Sequence, residues 1–531
     1  EISFKKATEL KPDYALAYNN LGNIMNRKGD LQAGIKNLKQ ALNIQPDLDL
    51  SWHSIYRPLQ AIKLKNLSKS IKDYLPFLDK NIVSKYSLAE KSILNYRLSL
   101  GSIHIKDSLR KVFDKLSSLN NNIIKNPKLP TSELNEELTQ PKKITALVHF
   151  GRSGTGLLHS LIDGHPEVST LPSIYFSEFF DHINWKRITI GGWDGIIDRF
   201  IKTYEVLFDA SSSEKIATVG HKFIHNIGKK EGMMNVGPER NEVLSVDKKV
   251  FIKELKRLMD CYDRLDILTF FKLVHSTYSK SLDDHKEKDL ILYHIHNPSI
   301  YAQLNFLRLV PDANWLMMVR EPLTSCESWI RRDFNDDNYT IISNKIVHIL
   351  FQIDQFIYQN ENSVGVRLED LKEHPKKTIQ ALCSWLGIKE EDSLYEMTAQ
   401  GKRWWGCPAS PDYKKDGMNA FGKTSINRKL GYVFSDNDQY ILRTLFYPFS
   451  VRFGYAEENL EKFKNDLQII RPMLDQMFDF EIKISQNKKL NIEKFMKSGP
   501  YLYLRSGMIE RWNTLNKFHT YPNMLIPIKI N

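Results

Sequence analysis

The sequence predicts an all-helical segment followed by a three-layer α/β domain built on a parallel sheet. Three observations carry this. FKKATELKPD (Phe4 to Asp13) returns as LKQALNIQPD (Leu38 to Asp47), an offset of 34 residues with Ala7 on Ala41 and Pro12 on Pro46. Next, the apolar, β-rich run ITALVHF (Ile144 to Phe150) is suited to a buried parallel strand and runs through GRSGTG into the helical pattern LLHSLIDG (Leu157 to Gly164). Finally, NWLMMVREPLTSCESWIRR (Asn314 to Arg332) reads again as strand then helix, with Pro322 at the junction, where a helix accepts proline.

Bulk properties set the frame. A chain of 531 residues is too long for one core. Its 42% apolar and 26% charged residues are ordinary for a soluble globular protein. No run of about 18 apolar residues suggests a transmembrane segment. The formal charge of +12 favours acidic partners such as nucleotides and phosphate or sulfate esters, although lysines spread over solvated faces give the same total. Cys261, Cys326, Cys383 and Cys407 form no CxxC pair. A reducing, cytoplasmic compartment is therefore expected, without zinc or disulfides.

Taken in order, residues 1–58 come first. Between the two matched stretches lie Tyr18, Leu21, Gly22 and Gly29 at helix–turn–helix spacing, and Trp52 and Ile55 fall in step with Tyr18 and Leu21. This resembles the tetratricopeptide repeat, in which small residues let two helices approach and proline stops the second. The chain opens on Glu1 inside such a unit, so further repeats are expected upstream. The resemblance implies a protein partner through this segment. Residues 59–143 read as lysine-rich helices followed by the proline-bearing linker NPKLPTSELNEELTQPKK. Residues 144–456 then form the α/β domain, and 457–531 a helical, aromatic extension that caps the core or makes an oligomer contact.

Strand, glycine loop and helix in that order make a nest of backbone amides at a helix N-terminus, a place for an oxyanion. Glycines 151, 154 and 156 allow close backbone approach, Arg152 brings a planar cation, and Ser153 and Thr155 bring hydroxyls. The run is too short for GxxxxGK[ST] and does not match GxGxxG. RSGTGLLHSLIDGHPEV (Arg152 to Val168) resembles the 5′-phosphosulfate loop of sulfotransferases of the bacterial and protein-tyrosine types, with Gly156 where those usually carry a second hydroxyl. That family implies a P-loop-like fold and 3′-phosphoadenosine 5′-phosphosulfate as co-substrate, with no metal. Arg152, Ser153, Gly154, Thr155 and Gly156 would hold the 5′ end, and Arg152 would stabilise charge on the leaving phosphate.

The same resemblance assigns Arg320, at a strand end, and Ser328, eight residues later, to the 3′-phosphate. VGVRLEDLKEHPKKTIQALCSWLGI (Val364 to Ile388) looks like the family's late strand–helix unit, in which Glu369 and Asp370 read as structural. GKTSINRKLGYVF (Gly422 to Phe434) corresponds to its basic segment, making Lys423 and Arg428 candidate cofactor contacts.

The acceptor hydroxyl must lose a proton, and several groups stand for the base. His296, at the end of the apolar strand Leu290 to Ile295 and two residues before Pro298, matches the base of the cytosolic enzymes. His294 shares its strand face and could contact the sulfonate. The tyrosine-type enzymes use a glutamate where this chain has Ser173, and Glu178 is the nearby substitute. His221 and Lys222 in VGHKF are further alternatives. Residues Phe176 to Lys288 match nothing recognised and are expected to cover the acceptor site, with WKRITIGGWDGIIDRF and VFIKELKRLMDCYDRL as helical or hairpin elements. The acceptor is a peptide, a glycan or a small molecule.

Three rival readings remain. A nucleotide kinase would need a lysine in a longer loop and a magnesium-binding aspartate, neither of which is visible. A scaffold would bind nucleotide without turnover while its repeats hold a protein. Nucleic-acid binding, suggested by charge and by Trp404 and Trp405, is not expected.

Overall fold

The computed structural model describes residues 1–63, 84–99, 105–119, 123–127, 141–148, 150–212, 216–218, 222–224, 226–282, 284, 286–296, 299–352, 362–408, 410–519 and 525–530. His221, most of the linker and parts of the helical connector, all singled out in the sequence, lie outside them, as does the side chain of Lys222. The principal elements, in chain order, are helices α1 (Ile2–Leu10), α2 (Ala15–Lys28), α3 (Leu31–Ile44) and α4 (Asp49–Lys63), strand β1 (Lys143–Val148), helix α5 (Thr155–Asp163), strands β2 (Val168–Ser169) and β3 (Leu290–Ile295), helix α6 (Ile300–Leu309), strand β4 (Asn314–Val319), helix α7 (Pro322–Asn335), strand β5 (Ser363–Arg367), helix α8 (Gly499–Phe518) and strand β6 (Ile526–Pro527). They fall into two compact units. One holds Glu1–Leu119, Glu321–Phe356 and Lys429–Met524; the other holds Asn120–Arg320, Ile357–Arg428 and Leu525–Asn531.

Among the described residues the first unit is all helical. Pro12 and Pro46 each follow a helix end, α1 and α3 respectively, as the repeat pattern requires. Gly29 closes α2 in the left-handed conformation (φ +89°), and Asp30 then caps α3 by accepting from the Ala33 amide at 2.9 Å. A Cβ on Gly22 would stand 2.8 Å from Leu38 Cγ, so glycine lets α2 and α3 meet closely. The far end of the sequence joins this group. Ser506 Oγ donates to the Gln60 carbonyl at 2.6 Å, Gln60 Nε2 bonds Glu510, and the rings of Tyr56 and Tyr503 pack edge to face at 6.4 Å. Helix α8 thus lies against α4. A Cβ on Gly499 would stand 2.2 Å from the Asn26 carbonyl oxygen, which fixes glycine at that approach.

The second unit is α/β, as predicted. Its main sheet has six strands, all parallel, in the order β6-β5-β4-β1-β3-β2, and among the described residues four short antiparallel pairs accompany it. Every residue of β3 and every residue of β4 except its first is buried, which explains their near-continuous apolar sequences. Strand β1 is paired on both sides, Val148 facing Ile295 of β3 and Met317 of β4. The chain runs from β1 to β2 and β3 on one flank and then returns to β4 on the other. Such a reversal leaves a crevice beyond the carboxyl ends of the central strands, where ligands of open α/β sheets bind. Residues 176 to 288, unmatched in the sequence, build helices around an aromatic core in which Phe176 lies 4.4 Å from Phe179 and stacks on Phe271 at 5.7 Å. Each such buried phenyl contributes about 1.5–3 kcal/mol by leaving water.

Candidate functional site

Parallel register brings three chain segments to one edge. Beyond β1 comes the glycine loop, beyond β3 comes His296, and beyond β4 comes Arg320. In the loop, Gly151 (φ +51°) and Gly154 (φ +90°) adopt the left-handed conformation on either side of Arg152 and Ser153. Left-handed residues within a turn are the backbone geometry from which anion-binding nests of amides are built. Gly154 is the N-cap of α5, so no side-chain oxygen satisfies the first amides of that helix. Ser153 Oγ and Thr155 Oγ1 are buried there without a hydrogen-bond partner. Buried hydroxyls left unmatched cost free energy, and together with uncapped amides they form a donor set that an oxyanion would complete. Arg152 is exposed at the rim, and around the position of a Gly156 Cβ there is open space to 4 Å. A Cβ on Gly154 would come within 2.6 Å of Leu368 Cδ1, so the leucine of the Leu-Glu-Asp motif backs the loop.

Arg320 is buried, and its Nη1 lies 3.5 Å from the Arg152 carbonyl oxygen while its Nη2 donates to the Ser425 carbonyl. The segment carrying Ser425 is clamped by a pair that sequence reasoning missed. Lys372 Nζ meets Asp412 Oδ2 at 2.6 Å, with both side chains buried, and also donates to the Gly422 carbonyl at 2.6 Å. Asp412 Oδ1 accepts from the Ser425 amide at 2.9 Å. This salt bridge and the Ser425 contacts hold the Asp412 carboxyl below the ordinary range despite its burial. The structure therefore brings Arg152, Arg320 and residues 422–425 together. Lys423 on that segment is exposed and Arg428 half-buried. Ser328 is buried on α7, in the first unit. In that same unit Glu327 accepts from the amides of Gly431, Tyr432, Val433 and Phe434 at 3.2–3.3 Å, anchoring the end of the basic segment.

Three imidazoles extend from the loop toward the end of β3. His159 of α5 stacks on His294 at 5.1 Å, and the His294 ring stands 5.8 Å from that of His296. The shared face expected for His294 and His296 is thus present. Burial lowers the pKa of all three, His296 to about 4, and neighbouring imidazoles depress His294 further. The Asp163 carboxylate and the Leu171 backbone partly oppose the effect at His159, as the Ser173 backbone does at His294. Above mildly acid pH the row is neutral. His159 sits inside the helical run LLHSLID, where an imidazole among leucines and isoleucine is the one signal the sequence offers for it.

Glu178 has another engagement. Both of its carboxylate oxygens accept from the Ser299 amide at 3.0 Å, and Ser299 Oγ donates to Asp181 at 2.7 Å, so the two acids fasten the start of α6. The His-Pro-Glu-Val motif is likewise a tie. His165 Nε2 meets the Lys389 carbonyl at 2.9 Å, and the Glu167 carbonyl accepts from the amides of Asp289 and Leu290. Among the described residues, no group of three or more His, Cys, Asp or Glu could hold a metal ion, and no helix is long and apolar enough to cross a membrane.

No family model matches the chain, and no curated protein matches it in sequence. Among solved structures it is similar to the sulfotransferase domain from the Synechococcus PCC 7002 olefin synthase, at 14% identity and a TM-score of 0.33, over 59% of this chain and 97% of that one. It is also similar to the sulfotransferase domain from the curacin biosynthetic pathway, at 14% identity and a TM-score of 0.30, over 57% of this chain and 97% of that one.

Proposed function

We propose that this chain is a sulfotransferase that moves a sulfonate group from 3′-phosphoadenosine 5′-phosphosulfate to an acceptor hydroxyl on a peptide, a glycan or a small molecule. The observation that carries this reading is the uncapped start of α5 with the buried, unpartnered hydroxyls of Ser153 and Thr155, set beside two arginines whose segments touch. An anion with two phosphate-bearing ends suits such a pair of sites.

The donor, when bound, supplies an activated sulfonate on a phosphate leaving group. Ser153, Thr155 and the amides of Gly154 to Gly156 would hold the 5′-phosphosulfate. Arg152, exposed at the rim and so able to follow developing charge, would stabilise the departing phosphate oxygen. Arg320, fixed by the Arg152 and Ser425 carbonyls, would orient the 3′-phosphate with help from Lys423 and Arg428. The assignment of Ser328 to that phosphate rests on spacing alone. Both Glu178 oxygens already take the Ser299 amide, and His296, neutral above about pH 4, binds a proton weakly.

Calorimetric titration with 3′-phosphoadenosine 5′-phosphate, set against ATP, tests the reading. We expect the bisphosphate to bind at least tenfold more tightly. Equal affinity, or no binding of the bisphosphate, overturns it.

A further inference from the structure

Ser173 stands five residues beyond the His-Pro-Glu-Val stretch that follows α5. In the fold, a carboxylate reaches that position from elsewhere: Ser173 Oγ donates to Glu231 Oε2. Glu231 follows the short helix Ile227–Lys230, and its backbone carbonyl is pinned by Trp404 Nε1 at 2.9 Å. Ser173 itself is held at φ +50°, a left-handed conformation that is costly for a serine and that tends to persist where function needs it. Its backbone lies beside His294, which stacks on His159 of the helix that follows the anion loop. The Tyr175 hydroxyl, buried and without a hydrogen-bond partner, lies close enough to feel the Glu231 charge. Among the described residues no lysine, arginine or histidine forms an ion pair with this carboxylate. A half-buried carboxyl beside an unmatched phenol, bonded to a serine that sits on a strained turn, makes a poor structural tie and a good proton acceptor.

We infer that Glu231, held by Ser173, takes the proton from the acceptor hydroxyl; this rests on the sulfotransferase reading above. The acceptor O–H bond breaks, with its proton passing to a Glu231 oxygen and its electron pair to the acceptor oxygen. That oxygen forms the new S–O bond as the old S–O bond to the phosphate breaks, and the leaving bisphosphate keeps that electron pair. Glu231 then returns its proton to water. Burial pushes its carboxyl up to about 7, opposed only by the Ser173 hydrogen bond, so its proton affinity suits transfer near neutral pH.

The test measures bisphosphate release from 3′-phosphoadenosine 5′-phosphosulfate, with water and with 2-naphthol as acceptors, alongside calorimetric binding of the bisphosphate. Glu231→Gln should bind the bisphosphate as the unaltered protein does, yet release it at least 100-fold more slowly, and it should lose the rise of kcat/KM near pH 7. Ser173→Ala, which removes the one bond holding that carboxyl down, should shift the rise to higher pH. Circular dichroism confirms that both variants are folded, and Ser173→Ala stands alone if Glu231→Gln is not. Unchanged turnover in Glu231→Gln, an unmoved limb in Ser173→Ala, or loss of the limb in His296→Gln instead overturns the inference. Failure of the unaltered protein to bind the bisphosphate sinks the parent reading as well. Binding without release from either acceptor overturns the inference and leaves a nucleotide-holding scaffold.

Discussion

The guanidinium of Arg320 reaches the backbone of Arg152, with Nη1 3.5 Å from its carbonyl oxygen, although 168 residues separate the two in the chain. One arginine is buried and fixed, the other exposed at the rim. Different consequences follow for each when it is replaced.

Arg152→Ala should leave the fold intact and slow transfer roughly 100- to 1,000-fold, the usual cost of removing a donor at developing negative charge. Arg320→Lys keeps a charge but loses the planar fork, and should weaken bisphosphate binding by about 1.5–3 kcal/mol, tenfold or more. Steady-state kinetics and calorimetry on the two variants separate turnover from binding. A scaffold would keep its protein partner in Arg152→Ala and show no kinetic change.

The loop glycines should divide by position. Gly154→Ala forces a side chain onto a left-handed backbone and against Leu368, and should cost about 1–3 kcal/mol in urea unfolding. Gly156→Thr enters open space and should leave stability within about 0.5 kcal/mol. It adds a hydroxyl at the anion nest, so nucleotide affinity should rise several-fold, in line with about 1 kcal/mol per hydrogen bond.

Acid should destabilise the α/β unit through its histidines. His159, His294 and His296 have folded pKa values below the unfolded value near 6.5, so the unfolded chain binds more protons in between. Their contribution is fully present above pH 6.5 and is lost as pH falls through the folded values, about 4 for His296. Each proton steepens the loss by about 1.4 kcal/mol per pH unit. Denaturation curves from pH 7 to 4 should show this slope, and His296→Asn should flatten it by about one proton. An unchanged slope in that variant rules out this account of His296.

Breaking the Lys372–Asp412 pair should act at a distance. Lys372→Met leaves Asp412 buried and unpaired, which costs about 3 kcal/mol, at the lower end for buried pairs. It also frees Gly422 and Ser425, so bisphosphate binding should weaken even though Lys372 is not assigned a ligand contact. Thermal melts and calorimetry of the same variant check both halves.

Much of the site is legible in the sequence because its signals are local. A strand, glycines and a helix within twenty residues dictate a left-handed loop before an uncapped helix start, and Arg320 after an apolar strand dictates a cation at the same sheet edge. The 34-residue period and its prolines dictate paired helices in the same way. Other roles are illegible because they depend on contacts between distant segments. Nothing near Glu178 in the chain announces that the Ser299 amide occupies its carboxylate, and nothing near Ser173 announces Glu231. The HPEV stretch carries part of the resemblance and serves as a brace, since its partners at Asp289, Leu290 and Lys389 lie more than a hundred residues away.

By itself the sequence determined the helical pairs at the start, the parallel α/β unit and its glycine loop, because short-range periodicity and backbone freedom are properties of neighbouring residues. Tertiary structure alone decided that α8 packs on α4, that Lys372 and Asp412 hold the segment gripping Arg320, and that a carboxylate stands at Ser173. The physical reason is that burial and hydrogen bonding depend on which distant groups meet, and they set both the charge a side chain carries and the bond it has left to give.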